Sequence, residues 1–369
     1  MIDGLGDKAY KELNNKTPLE YASTPNLDFL ARHSKLGLMY SIAKGIAPES
    51  DQAMISMLGN DVFKCYTGRG ILEALGSGIK ILPNKTYIRC NFCVQKKGVI
   101  TEIEAQIKEK KVKELCKKLD RIVPKTRFFH AKGYRAILVV DNKHSNITNT
   151  HPGYRIFKKK VTTALPIAGR KLKVKKCKAL DKQSRETAKI VNKFIAKASE
   201  ILAKEEANFI ITRGASSRLP KLKALLSWCS ITEMPVEIAI SKLSKMKVVK
   251  MSNNVVKDIK KALAKHSVYV QIKGPDAFAH RGNILGKVKA IEKIDKLIGK
   301  LLDMVEKTRF VVTADHSTCC DLRAHCKKPV PLMVTSAKPD NIASFSERSC
   351  KKGSLGVILG RGLLKFKKI

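Results

Sequence analysis

Three short apolar runs near the carboxyl terminus constrain this chain more than any other feature: 268–272 (VYVQI), 309–313 (RFVVT) and 330–334 (VPLMV). Between the first two, over 287–305, Ile291, Ile294, Ile298, Leu301 and Leu302 recur at helical spacing. Strands that alternate with amphipathic helices build a mainly parallel α/β sheet, because a parallel connection must cross over a sheet face. Ligands of such sheets gather beyond the carboxyl ends of the strands. This chain places its polar clusters there. Lys273-Gly274-Pro275-Asp276 and then His280 follow the first run, Ala314-Asp315-His316-Ser317 follows the second, and His325 comes shortly after.

Asp276 and His280 are spaced to share one face of a helical turn, and adjacent Asp315 and His316 can serve two centres. Carboxylates and imidazoles in this pattern suit a pair of divalent ions, which favours phosphoryl chemistry. Without thiolate ligands, manganese, magnesium, zinc and cobalt all remain open. Elsewhere, Thr24-Pro25-Asn26 before LDFL predicts a helix capped by Thr24. The segment 50–58 (SDQAMISML) predicts a helix opening on Ser50 as its polar N-cap, and Gly68-Arg69-Gly70 leads into another, ILEALG. Strands are predicted at 136–140 (AILVV) and 209–212 (FIIT), with a helix over 186–204.

The formal net charge is +41, from 73 Lys+Arg against 32 Asp+Glu, which raises nucleic acid as a partner. The charge is unevenly placed: residues 1–50 hold 6 basic and 6 acidic side chains, whereas 151–200 alone carry a net +12. The basic runs Lys158-Lys159-Lys160 and 170–178 have only Tyr154 and Phe157 as nearby aromatics, and no nucleic-acid-binding signature accompanies them. Nucleic-acid binding is therefore not expected as the main role, and solvated Lys-rich faces are the simpler account.

Of 10 cysteines, Cys90 and Cys93 form a CxxC pair with no second pair at zinc-ribbon spacing. Cys319, Cys320 and Cys326 crowd together without that pattern. Reduced, mostly buried thiols are expected. No run approaches the ~18–20 apolar residues of a membrane span, and the amino terminus has no signal-peptide pattern. A soluble, cytoplasmic chain is expected, its oligomeric state open.

Taken together, Asp3-Gly-Leu-Gly-Asp7, Lys16-Thr-Pro-Leu-Glu20, Thr24-Pro-Asn26, Pro48-Glu-Ser50-Asp51, Tyr66-Thr-Gly-Arg-Gly70 and Arg89-Cys-Asn-Phe92 form an ordered series. It continues with Arg213-Gly-Ala215, Lys273-Gly274, Asp276, His280, the helix VKAIEKIDKLIG and Thr313-Ala-Asp-His-Ser-Thr318. In this order the chain resembles the cofactor-independent phosphoglycerate mutases of archaeal type, in the alkaline phosphatase superfamily.

The resemblance implies an α/β fold with an alkaline-phosphatase-like, mainly parallel sheet flanked by helices, built from residues 1–80 and 220–369. A smaller, basic α/β domain, 81–219, would be inserted to bind substrate. Two divalent ions are implied, one held by Asp3, Ser50, Asp315 and His316, the other by Asp276, His280 and His325. Ser50 would be the nucleophile, forming phosphoserine while 2-phosphoglycerate and 3-phosphoglycerate interconvert in glycolysis and gluconeogenesis. Arg69, Arg89, Arg135, Arg213 and Lys273 are the candidates for holding the anionic substrate.

The chain also departs from the family pattern. Where the family has Asp-Arg-Arg-Ala-Gly-Arg, residues 102–107 read EIEAQI, without an arginine. The family's Asp-Thr-Asp-Pro-His reads Asn149-Thr-His-Pro-Gly153, and the usual Gly before the nucleophile is Glu49. An enzyme that forms phosphoserine but does not retain glycerate hydrolyses its substrate, so a metal-dependent phosphatase or phosphotransferase is the alternative. Only Met1 and Ile2 precede Asp3, where the family has a strand. Either an apolar segment is encoded upstream or a central strand is missing.

Overall fold

In the computed structural model, which describes residues 1–368, the early strands are β1 (Ser34–Tyr40), β2 (Thr86–Lys96), β3 (Val99–Glu102), β4 (Thr126–His130) and β5 (Arg135–Val140). Next come β6 (Tyr154–Lys158), β7 (Val161–Ala164), β8 (Phe209–Ser216), β9 (Trp228–Thr232), β10 (Lys247–Lys250) and β11 (Ser267–Val270). The last are β12 (Val311–Val312), β13 (Ser317–Cys319), β14 (Ala324–Cys326), β15 (Val330–Thr335) and β16 (Gly356–Leu359).

β10, β9 and β11 pair in parallel. Residues 1–3 occupy the next position. Ile2 bridges in parallel to Ile272 beyond β11 and to Ala314 beyond β12, and the Asp3 amide donates to the Ile272 carbonyl at 2.9 Å. Beyond β12 lie β15, β1 and β16. Only β15 runs against its neighbours, so the predicted parallel sheet has one reversal, at the run 330–334. β15 is buried at every residue, as a strand covered on both faces must be.

The predicted helices form, with shifted ends. Helix Pro25–Arg32 has Thr24 at its N-cap position, but the Thr24 side chain makes no capping bond. The Asp295 carboxylate instead takes the Leu27 amide at 2.8 Å and Asn26 Nδ2 at 2.7 Å. Asp295 belongs to helix Ile284–Gly299, so this substitute cap ties the two helices together. That second helix ends at Gly299, a poor helix former, and a short 3₁₀ turn, Leu302–Met304, replaces the rest of the predicted segment. Their apolar faces pack with Leu36, Met39, Val312, Leu332 and Met333 in one core.

β2 organises a second sheet. β3 and β5 flank it on one edge and β8 on the other, β4 lies beyond β5, and every pairing is antiparallel. Helices Glu109–Leu119 and Arg185–Ile201 bury their apolar stripes on it, around Phe92, Phe128 and Phe194. Another core joins Met54, Ile71, Leu72, Val236 and Ile240 to Tyr87, Ile137 and Val139 of this sheet. The β6–β7 hairpin reaches away: the Ala164 amide donates to the Ala47 carbonyl at 2.9 Å, and the Ile167 amide to Leu322 at 3.1 Å.

One cysteine expectation is corrected. The β13–β14 hairpin brings the Cα atoms of Cys319 and Cys326 to 5.9 Å, and the two form a disulfide. Strand pairing supplies an approach that linear spacing did not show. The remaining cysteines are free and, Cys65 apart, buried. Among the described residues no helix is long and apolar enough to cross a membrane.

Candidate active site

Three adjacent chain positions at the carboxyl ends of parallel strands deliver the acidic groups: Asp3, Asp276 after β11, and Asp315 after β12. His316 Nε2 is the hub. It lies 3.2 Å from Ser50 Oγ, 3.2 Å from Asp315 Oδ2 and 3.5 Å from Asp3 Oδ1. Helix Pro275–His280 puts His280 Nε2 at 3.4 Å from Asp276 Oδ1, and His325 Nε2 approaches the same oxygen at 3.7 Å. Candidate ligand atoms of Asp276, His280 and His325 lie within 4.8 Å of one another, as do those of Asp3, Asp276 and His316. Asp276 thus stands between two groups, and Asp315 joins through His316.

A second layer of hydrogen bonds orients these side chains. The His325 ring stacks on His316 at 3.6 Å, its Nδ1 at 2.6 Å from the Pro48 carbonyl, while His280 Nδ1 bonds the Arg323 carbonyl at 3.0 Å. Gln271 and the Gly4 amide hold the two oxygens of Asp315. Thr318 Oγ1 donates its single proton to Asp276 at 2.7 Å, so it accepts from His316 Nδ1 at 3.0 Å. That network puts a proton on His316 Nδ1 and leaves Nε2 facing Ser50; burial lowers His316, but Asp315, Asp276 and Asp3 outweigh it and push the imidazole up to about 9.

Buried charges crowded in this way need a counter-charge. Burial, followed by the neighbouring Asp315 charge, pushes Asp3 well above the usual carboxylate range. Asp3 Oδ1 is buried without a hydrogen-bond donor. Burial also opposes ionisation of Asp276, yet His280, His316 and His325 hold it well below that range. Burial and the His316 charge keep His325 neutral. Carboxylate oxygens with neutral imidazole nitrogens are a donor set for divalent ions, so these residues fit the metals that the sequence implies.

Ser50 opens helix Ser50–Met57, and its cap position belongs to Glu49 rather than to Ser50 as the sequence predicts. The first helical turn still aims unpaired amides at an anion there. Above Ser50 lies a cavity of about 890 Å³ lined by all five predicted anion binders, Arg69, Arg89, Arg135, Arg213 and Lys273. Lys273 Nζ is 3.0 Å from Asp3 Oδ2 and 2.6 Å from Glu237 Oε1. Arg69 meets Glu73 at 3.1 Å and Asp51 at 3.3 Å, and Arg89 meets Glu73 at 3.5 Å. The arginine-free stretch does form part of this wall, through Glu102, Ile103, Glu104 and Gln106.

Sequence reasoning missed several lining residues: Asn91, Tyr154, Arg170, Arg281 and Arg323. Arg281 directly follows His280 and Arg323 precedes His325 by two, so nearness to the candidate ligands was an available signal. Arg170 had none, because only the docking of the loop after β7 onto Leu322 brings it to the mouth.

A family model described as 2,3-bisphosphoglycerate-independent phosphoglycerate mutase matches residues 31–208. The 2,3-bisphosphoglycerate-independent phosphoglycerate mutase of Metallosphaera sedula is 34% identical over 96% of this chain and 92% of its own. Its namesake from Methanobrevibacter smithii is 30% identical over 99% of this chain and 95% of its own. Among solved structures, the cofactor-independent phosphoglycerate mutase of Thermoplasma acidophilum matches with a TM-score of 0.57 and 26% identity, over 99% of this chain and 96% of that one. A Pyrococcus horikoshii protein matches in fold, with a TM-score of 0.77 and 24% identity over 100% of this chain and 96% of its own.

Proposed function

The chain belongs to the 2,3-bisphosphoglycerate-independent phosphoglycerate mutase family, and on that premise we propose that it interconverts 2-phosphoglycerate and 3-phosphoglycerate through a phosphoserine at Ser50. It is an isomerase by family, and the setting we propose for it is glycolysis and gluconeogenesis. The observation that carries the reading is Ser50 Oγ on a helix N-terminus, 3.2 Å from His316 Nε2, at the floor of a cavity lined by arginines.

Divalent ions held by Asp3, Ser50, Asp315 and His316, and by Asp276, His280 and His325, would favour the Ser50 alkoxide and polarise phosphoryl oxygens. The chain's own part is positioning. Arg69 and Arg213 face the phosphoryl group while Ser50 Oγ forms its bond to phosphorus and the bond to the glycerate oxygen breaks. The proton that Ser50 gives up is the one that the glycerate oxygen gains, so the transfer is proton-neutral. Arg89 and Arg135, further along the wall, hold the glycerate carboxylate as the molecule turns and presents its other hydroxyl to the phosphoserine. We assign 1–80 with 220–369 to the catalytic unit and 81–219 to the inserted substrate unit, whose hairpin covers the site and limits water.

Glu102 and Glu104 in the cavity wall favour a second reading, in which glycerate escapes and water takes the phosphoryl group. A coupled assay from 3-phosphoglycerate to 2-phosphoglycerate, with free phosphate measured in parallel, separates the two. Mutase turnover with little phosphate release supports isomerisation, and release matching substrate loss supports hydrolysis. Ser50→Ala should abolish both the phosphoenzyme and turnover; turnover retained in that variant would refute the nucleophile.

A further inference from the structure

Glu49 precedes the nucleophile and is 2% exposed. Its Oε2 accepts from Arg69 Nη1 at 3.3 Å and pairs closely with Arg213 Nη1. Its Oε1 accepts from Thr162 Oγ1 at 2.5 Å, on β7. Arg69 has two other carboxylates, Asp51 and Glu73, within 3.3 Å. Arg213 differs: among the described residues Glu49 is its one ion-pair partner.

Arg213 is built to receive an anion. It lines the cavity, is 6% exposed, and lies 4.1 Å over the Tyr154 ring. Its register partner across β2–β8 is Arg89, a like-charge pairing that costs stability unless an anion lies between or beside the two. Its Nε has no hydrogen-bond partner. A buried guanidinium in this state demands a counter-charge, and in the free protein Glu49 provides it.

We infer that Glu49 is a resident anion that competes with the phosphoryl group of the substrate for Arg213, and so sets the affinity of the cavity for dianionic ligands. The inference rests on the cavity being the phosphoglycerate site. The phosphoryl oxygens reach the unpartnered Nε as well as Nη1, and each binding event must overcome the attraction and repulsion that Glu49 exerts. Glu49 acts through Arg213 and touches no reacting atom; it is a positioning residue whose removal strengthens ground-state binding.

The test uses the full chain loaded with divalent metal, as wild type, Glu49→Gln and Glu49→Asp. Inorganic phosphate is titrated by calorimetry, and kcat and KM for 3-phosphoglycerate are measured separately. Glu49→Gln should bind phosphate on the order of tenfold more tightly, as expected for removing one nearby like charge from a partly desolvated site. KM should fall by a similar factor with kcat unchanged or reduced. Glu49→Asp, which withdraws the carboxylate by one methylene, should shift both in the same direction by about a third of that factor.

Unchanged or weaker phosphate binding in Glu49→Gln overturns the inference, since Glu49 would then only brace Arg213 and Thr162. Should Glu49→Gln not accumulate folded, Glu49→Asp decides by the same criterion. Phosphate binding is read without turnover. Tighter binding in a protein with no mutase activity upholds the competition and removes phosphoglycerate as substrate, whereas normal turnover with unchanged phosphate affinity overturns the competition alone.

Discussion

Lys287 offers the sharpest test of how the site is held together. It is fully buried on helix Ile284–Gly299, and its three ammonium protons meet three acceptors: Gly6 O at 3.0 Å, Thr318 O at 2.8 Å and Asp7 Oδ2 at 2.9 Å. Gly6 lies in the loop that leaves Asp3, and Thr318 orients both Asp276 and His316, so one side chain ties the two halves of the cluster. Removing one partner of a buried ion pair costs about 3–5 kcal/mol. Two orphaned carbonyls add about 1–3 kcal/mol each, and methionine keeps only the packing of the lysine stem, so a loss of at least about 4 kcal/mol is expected for Lys287→Met. That is a large part of the ~5–15 kcal/mol that stabilises a typical domain. Urea unfolding followed by the fluorescence of Trp228, the single tryptophan, measures it. Lys287→Met/Asp7→Asn should recover about 1–2 kcal/mol, because the unpaired carboxylate has gone. A loss below about 1 kcal/mol for the single variant, or no recovery in the double, would refute the reasoning.

A Cβ on Gly76 would lie 1.6 Å from the Pro235 carbonyl oxygen, so Gly76→Ala must separate helices Arg69–Gly76 and Pro235–Leu243. A loss of about 3 kcal/mol in urea unfolding is expected, and an unchanged midpoint would contradict the packing. Burial, then the Arg89 and His280 charges, push His151 from 6.5 down to about 3. Its contribution is complete above pH 6.5 and is lost as pH falls toward 3, because there the unfolded chain takes the proton. His151→Gln should therefore flatten the acid limb of the stability profile by up to about 1.4 kcal/mol per pH unit, and a limb of unchanged slope would exclude the assignment. Chelation of divalent metal should lower Tm, with a return on adding manganese; at a hundredfold excess over Kd the gain is about 2.7 kcal/mol. A Tm indifferent to chelator would remove the metal reading.

The parallel sheet was legible because its strands and crossover helices carry opposite periodicities, and the candidate ligands because they follow strand ends at once. The antiparallel course of β15 was not legible: a run such as VPLMV reads the same in either direction, and only the long return through 336–355 to β16 fixes the choice. Nor did the sequence reveal that residues 1–3 serve as a central strand, since three residues show no period. Ser50 was read as a cap because serine caps helices well, yet Glu49 holds that position with its side chain turned to the arginines instead of the helix amides. The Cys319–Cys326 pairing needed the hairpin.

The cavity and the chain-wide charge obey different physics. Lysines account for most of the excess, and those of the basic segment 171–178 are exposed, where water and salt screen them. The cations in the cavity are mostly arginines, and those deepest in it are matched: Glu49, Asp51 and Glu73 lie within ion-pair distance of Arg69, Arg89 or Arg213, and Asp3 and Glu237 hold Lys273, while Arg170, Arg281 and Arg323 are exposed at the mouth. Such matching lets the guanidiniums stay buried without a ligand, which four unpaired cations could not. The cost is that a dianion reaching the buried end beside Ser50 finds its cations already engaged, and must displace internal carboxylates that are desolvated and well placed. A surface field of +41 draws anions toward the molecule and raises encounter rates, but it cannot lower the free energy of that exchange. Selection among anions therefore belongs to the handful of buried pairs around Ser50, and the lysines outside contribute approach.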